Sequence, residues 1–427
     1  MKPVSDVVAL LAALGAVAFF AGSAIVGYRY SGSEASPVFG VYSLAVAASA
    51  LLLVVYGLVL QRRRYSALAW MSGLLPILVC VSFFAAANGT VEDAAAWPTF
   101  RNFLVWAAPA LYAGLHVGTC GSWRRIRRLL DPLMVFLSMA SIASVARFLV
   151  DGWSARGIAG ASYQTLSYVS ALAFGLNLYM LLNFEGYERF RFARSGAFRS
   201  FGIALLPLQV FAAVVSGGRG GVVLIGVYVV LYVLLKLRSS RGRAQSVLVL
   251  VTAGLLTVAT LQLALPNTLV SQGYDRAFAY VSSSGIDWSG TSGRDAVYSS
   301  ALSLIDERPV FGYGPFGFVE HLSPYVYPHN LFLELVLAGG VIGFTGAMLA
   351  AGLLTHRYFI LKRRDPTYGG LGVLVTYQLV MLMFSGTYLA APTLWFAFGV
   401  IVGAPRVKSR LLADSLALTG IEGEALE

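Results

Sequence analysis

Long uncharged runs decide what this chain can fold into. Apolar stretches of about 18 or more residues, the length that crosses a bilayer as a helix, recur along all 427 residues. Charged residues make up 12% of the chain, against about 25% in an average soluble domain, and no polar stretch is long enough to build a core of its own. The sequence predicts an all-α polytopic membrane protein, a single integral membrane domain over 1–427. Twelve spans are expected, near 7–27, 38–60, 66–86, 101–120, 132–150, 163–183, 201–216, 220–237, 246–265, 331–355, 369–385 and 388–404. The last two come from one apolar stretch too long for a single crossing, broken near Gly386. The first is about as long as a span and lacks a small-residue cleavage site, so no cleaved signal peptide is expected. Cys80 and Cys120 lie in or at the ends of apolar stretches; they define no disulfide framework or metal cage and leave the redox compartment open.

A net charge of +11 raises the question of nucleic acid. With the N-terminus inside, 23 of the 31 Lys and Arg residues fall on the cytoplasmic side: Lys2, "QRRR", "WRRIRR", "ERFRFARSGAFR", "KLRSSRGR", "HRYFILKRR" and "RVKSR". The other eight are Arg29, Arg101, Arg147, Arg156, Arg219, Arg276, Arg294 and Arg308. Such an asymmetry is the positive-inside pattern and places both termini in the cytoplasm. The basic charge reads as topology and contact with anionic membrane lipids, and no nucleic acid partner is expected.

One connection is long. Residues 266–329 form a large loop on the outer, periplasmic side, aromatic and patterned and therefore expected to be ordered. Within it "TSGRDAVYSSALSLIDERP" predicts an amphipathic helix, with Ala296, Val297, Ala301, Leu302, Leu304 and Ile305 at helical spacing, Ser292 as cap and Pro309 as stop. The glycine-rich "FGYGPFG" marks a change of direction.

The outer arginines carry most of the chemical information. Arg219 sits in "SGGRGG" between two apolar helices. A charge at that depth needs a partner or a wet cavity, and a guanidinium offers a planar fork suited to phosphate. The glycines around it would let ligand oxygens approach the backbone. The alternative is a hairpin turn whose arginine reaches lipid headgroups. Arg294 opens the loop helix, where a cation opposes the helix dipole unless an anion joins it; Asp295 is one candidate and a ligand another. Arg276 in "YDR" and Arg156 in "SARG" carry the same ambiguity. Several arginines converging from separate segments would suit a diphosphate.

His329 follows Pro328, which holds Tyr327 extended, so the next span begins at or just after the histidine. A helix N-terminus and nearby arginines both disfavour imidazolium. A neutral imidazole there suits general-base work on a hydroxyl; a plain helix cap is the structural alternative. Glu334, one turn on, is placed to orient Asn330. Tyr163 and Gln164, at the outer mouth of the sixth span, could stack on or hydrogen-bond a sugar. His116, His321 and His356 have no comparable context. There is no Asp-x-Asp, Walker loop, zinc-spaced Cys/His cluster or Gly-x-Ser-x-Gly elbow, so no metal site or cofactor is expected.

Taken together, "SGGRGG", "SGRDAVYSSALSLIDERPVFGYGPFGF" and "YPHNLFLELVLAGGVIGF", in this order, resemble the O-antigen ligase and O-antigen polymerase superfamily of bacterial envelope proteins, over roughly residues 156–345. The resemblance implies a fold like that of the GT-C glycosyltransferases. It also implies metal-independent, inverting transfer of a glycan from an undecaprenyl-diphosphate carrier, on the periplasmic face of the inner membrane. The acceptor would be a glycolipid, and there is room for a chain-length regulator. The catalytic roles fall on Arg219, Arg294 and His329, with Arg276, Arg156, Tyr163, Gln164, Asn330 and Glu334 as substrate-binding candidates. "SYQTLSYVSA" and "GGRGG" lean toward the polymerase branch; ligation of glycan to lipid A–core is the alternative. A lipid-linked glycan transporter is the alternative of another class, disfavoured because most spans lack mid-span charge and the two halves show no matching interruptions.

Overall fold

The computed structural model describes residues 2–28, 36–60, 65–87, 95–151, 162–182, 196–237, 251, 254, 275, 281–282, 285–286, 294–322 and 325–405. In chain order the helices are α1 (Lys2–Leu14), α2 (Ala16–Val26), α3 (Pro37–Val55), α4 (Ala67–Gly73), α5 (Leu75–Ala86), α6 (Trp97–Asn102), α7 (Ala108–Cys120), α8 (Trp123–Arg128) and α9 (Leu130–Asp151). They continue with α10 (Tyr163–Leu182), α11 (Gly196–Val215), α12 (Arg219–Leu237), α13 (Arg294–Glu307), α14 (Gly317–His321), α15 (Leu331–Arg364), α16 (Gly369–Leu382) and α17 (Pro392–Gly403). A two-residue antiparallel pair, Val281–Ser282 with Gly285–Ile286, is the strand structure among the described residues. Among the described residues, seven helices are long and apolar enough to span a membrane, or eight if the bent pair α1–α2 counts as one. α12 and α17 are shorter apolar helices, and the expected span 246–265 lies outside the described residues apart from two isolated positions.

The first apolar stretch is not a straight span. It bends by 96° between α1 and α2, at Gly15, whose φ of 55° suits glycine. A break in a bilayer-embedded helix frees carbonyls that need new donors. The Tyr42 hydroxyl donates to the Gly15 carbonyl at 3.0 Å and Thr393 to that of Ala13 at 2.7 Å.

α10 is the hub, almost wholly buried and packed against α9, α11, α12 and α16. A polar cluster locks it in register. The Asn177 amide donates to the Gly202 carbonyl (2.7 Å) and to Gln209 (3.1 Å), and Gln209 donates to Ser138 (2.8 Å). Such interhelical bonds are worth about 0.6 kcal/mol each in a membrane, and every one removes a stranded polar group. α7 and α17 approach backbone to backbone through Gly114, Gly118, Gly399 and Gly403, where any Cβ would strike the facing main chain. Small residues four apart on both partners make that approach feasible.

The part of the long loop that is described is packed. Phe316, after the "FGYGP" turn, meets the stacked pair Phe83 and Phe100 edge-on, with centroids 5.2 Å from Phe83. α13 buries Val297, Ala301 and Leu304 as the spacing predicts, whereas Ala296 and Leu302 are exposed. The expected cap, Ser292, lies outside the described residues.

α15 is broken at Gly340, with φ 59° and ψ −164°, and the loop turn docks into the break. Tyr313 and Gly314 amides donate to the Leu337 and Ala338 carbonyls, both at 2.8 Å. Val341 and Ile342 amides donate to Pro309 and Val310 carbonyls at 2.8 and 3.3 Å. Gly312 and Gly340 face each other here, and a Cβ on either would collide with the opposite backbone.

Candidate functional site

Five segments meet where α10 begins. Its first turns bring Tyr163, Gln164 and Tyr168, and the α11–α12 link brings Gly217, Arg219 and Gly220. α13 contributes Arg294 and Val297, the approach to α15 contributes Tyr325 and His329, and the turn after α16 contributes Phe384. Together they line a cavity of about 350 Å³. Two guanidinium groups and no carboxylate line it among the described residues, so its electrostatics favour an anion.

The "SGGRGG" link folds tightly: α11 ends at Val215, Gly217 has φ 79°, and α12 starts at Arg219. The sequence suggests that its glycines admit a ligand to the backbone. In the structure they mainly admit α10, since a Cβ on Gly218 or Gly221 would strike Ser167 and one on Gly220 would strike Tyr168. The Ser167 hydroxyl, within 2.8 Å of the Ala213 and Gly218 carbonyls, satisfies the end of α11. Arg219 is thereby delivered to the cavity at a helix N-terminus.

Arg294 is the first residue of α13, a position where the helix dipole costs a cation about 0.3–1 kcal/mol. Its Nη2 donates to the Phe384 carbonyl at 2.8 Å, and its Cζ lies 5.7 Å from the Phe384 ring centroid. A hydrogen bond from a charged donor is worth about 1.5–3 kcal/mol, so the anchor outweighs the dipole. The anchor is the α16–α17 break rather than Asp295.

His329 has φ 53°, the one non-glycine residue with positive φ among the described residues. A side chain held there is a strained arrangement of the kind found at functional sites. The Tyr327 ring packs edge-on against the imidazole at 4.6 Å. Burial, and after it the Arg294 charge, hold the His329 pKa below the ordinary histidine value of 6.5, opposed by the Phe384 carbonyl. Its Nδ1 is buried with no hydrogen-bond partner among the described residues.

Asn330 and Glu334 do not line the cavity. The Asn330 side chain caps α15, accepting from the Phe332 and Leu333 amides at 2.9 and 3.3 Å. Glu334 turns away from the Asn330 side chain. Buried at 1% exposure, it accepts from the Thr387 hydroxyl and, at 3.4 Å, from the Tyr388 amide. It ties the helix carrying His329 to the segment carrying Phe384. Tyr163 and Gln164 line the cavity, and the Gln164 amide donates to the Tyr163 hydroxyl at 3.1 Å. Arg276 and Arg156 lie outside the described residues. Sequence reasoning missed Tyr168, Tyr325 and Phe384. Tyr168 could have been found, since it lies four residues after Gln164 on the same helix face. Phe384 acts through a carbonyl and leaves no sequence signal.

No curated protein sequence matches the chain significantly. Residues 203–348 match the family model described as O-antigen ligase (Wzy_C), a stretch that contains Arg219, Arg294 and His329. Over that stretch the chain, a membrane protein built mainly of helices, is similar to the O-antigen ligase family.

Proposed function

We propose that this protein is a glycosyltransferase that moves a glycan from an undecaprenyl-diphosphate carrier to an acceptor sugar hydroxyl at the periplasmic face of the bacterial inner membrane. One observation carries the proposal: Arg219, Arg294 and His329, from three separate segments, line the same cavity. Arg294 spends one of its five N–H donors on Phe384 among the described residues. The others suit the oxygens of a departing diphosphate, whose growing charge the two arginines stabilise. His329, kept neutral, takes the proton of the acceptor hydroxyl. That oxygen forms a bond to the anomeric carbon as the carbon–phosphate oxygen bond breaks, its electron pair leaving with the diphosphate and the anomeric configuration inverting. The acceptor is a glycolipid, membrane lipids surround the protein, and a chain-length regulator is a natural associate.

Within this chemistry the polymerase reading rests on the resemblance of "SYQTLSYVSA" and "GGRGG" to that branch. The description of the matched family favours the ligase reading, in which lipid A–core is the acceptor. Deleting the gene in its host and resolving surface lipopolysaccharide on a gel separates them. Core carrying a single repeat without a ladder indicates polymerase; bare core with lipid-linked polymer accumulating indicates ligase. Complementation with Arg219→Ala, Arg294→Ala or His329→Ala is expected to fail at normal protein level. A normal ladder from His329→Ala would remove the histidine as base.

A further inference from the structure

α10 brings to the cavity a hydroxyl that lies within "SYQTLSYVSA" but that the sequence reading does not single out. Tyr168 is 4% exposed and lines the cavity together with Arg219, Gly220 and Arg294. Its ring is fixed edge-on against Tyr377, with centroids 6.4 Å apart and planes at 88°. Its hydroxyl lies directly over Gly220, close enough that a Cβ at that position would collide with it. Glycine there leaves the hydroxyl room at the N-terminus of α12, next to the residue that starts the helix.

Three other tyrosines of the bundle, one buried and two half-buried, spend their hydroxyls on main-chain carbonyls. Tyr228 donates to Val373 at 2.8 Å, Tyr42 to Gly15 at 3.0 Å and Tyr112 to Gly73 at 3.0 Å. The Tyr168 hydroxyl makes no such bond among the described residues. A hydroxyl that is rigidly held at a cavity wall without a protein partner is left to a ligand or to solvent. Its neighbours in the cavity are cationic, which narrows the chemistry of that ligand to an anion.

We propose that the Tyr168 hydroxyl donates a hydrogen bond to the diphosphate of the bound donor, between Arg219 and Arg294. This rests on the preceding functional reading and adds to it a third, uncharged donor for the same anion. The neutral phenol contributes direction where the two cations contribute charge.

The test uses the full chain purified in detergent, inorganic diphosphate as the probe, and calorimetry, with the surface glycan ladder measured in parallel in cells. Tyr168→Phe keeps the ring against Tyr377 and removes only the hydroxyl. Its diphosphate affinity is expected to fall about tenfold and its ladder to shrink, with thermal stability unchanged; one lost hydrogen bond to a charged group is worth a factor of that order. Gly220→Ala, which pushes the hydroxyl aside, is expected to weaken diphosphate to a similar degree. Wild-type affinity in Tyr168→Phe, with Arg219→Ala and Arg294→Ala still impaired, overturns the role of Tyr168 alone. Wild-type affinity in all three, or no diphosphate binding by the native protein, overturns the functional reading as well. Repeating the titration with added phosphatidylglycerol separates the two sources of phosphate. Unchanged affinity supports the donor diphosphate, and competition by the lipid overturns it in favour of a headgroup.

Discussion

His329 must be neutral to accept a proton, and its surroundings penalise the charged form twice, through burial and through Arg294. A base whose pKa is lowered stays competent to a lower pH than an ordinary histidine. The acid limb of the pH–rate profile is therefore expected below pH 6.5, the ordinary histidine value. Arg294→Gln removes the second of the two causes, so the limb should move to higher pH even as the rate drops; Arg294→Lys should leave it near its original position. Profiles of kcat/KM for the three proteins check this, and a limb that stays put in Arg294→Gln would detach the histidine from the observed titration. Residue by residue, much of this was legible beforehand. Arginine and histidine are so costly near hydrocarbon that each one stands out singly in the sequence. What Arg294 is anchored to was not legible, because the anchor is the carbonyl of Phe384, which any residue type could supply.

Between the elements, geometry is set by backbone meeting backbone. The turn over Pro309–Gly314 follows α13, which carries Arg294, and its docking site in the broken α15 follows His329 by about three helical turns. Four main-chain hydrogen bonds at this joint tie together the segments that carry these two cavity residues. Gly340→Ala places a Cβ against the Val310 carbonyl at a φ that L-residues avoid. Strain of that kind costs about 1–3 kcal/mol. The variant is expected to lose most glycan transfer and to unfold at a lower temperature in detergent. Gly343→Ala, three residues on and facing open space, should behave as wild type. If both alanine variants transfer glycan normally, the joint does not position the site. The sequence marks "FGYGPFG" as a turn, yet nothing in it says that the turn fills a helix break, since the partner stretch "LAGGVIG" reads as continuous span. The bend at Gly15 was hidden for the same reason. Its freed carbonyls are satisfied by Tyr42 and Thr393, 27 and 380 residues away.

At the scale of the whole molecule, charge and cavity separate to opposite ends. Arg125 pairs with Asp6 at 2.8 Å and Arg124 with Asp365 at 2.7 Å, joining three segments that the distribution of basic residues assigns to one side. α16 starts just after Asp365 and ends two residues before Phe384 at the cavity, a helix of 14 residues, or about 21 Å at 1.5 Å per residue. α10 makes the opposite journey, from Tyr163 at the cavity to Tyr179 against Gly369. The arginines of both pairs are exposed, so the pairs hold little stability. Their value lies in placing the basic loops together, where the membrane reads them as one cytoplasmic face. In the proposed orientation the cavity faces the periplasm, the side on which the proposed transfer would consume its donor. With Cys80 and Cys120 replaced by alanine, single cysteines at Ser303 on α13 and at Arg364 at the end of α15 report the two ends, both positions being exposed. A membrane-impermeant maleimide added to intact spheroplasts is expected to label Ser303→Cys and to reach Arg364→Cys only after permeabilisation. The reverse pattern would turn the molecule over and leave Arg219, Arg294 and His329 on the cytoplasmic side, where the proposed periplasmic transfer could not take place.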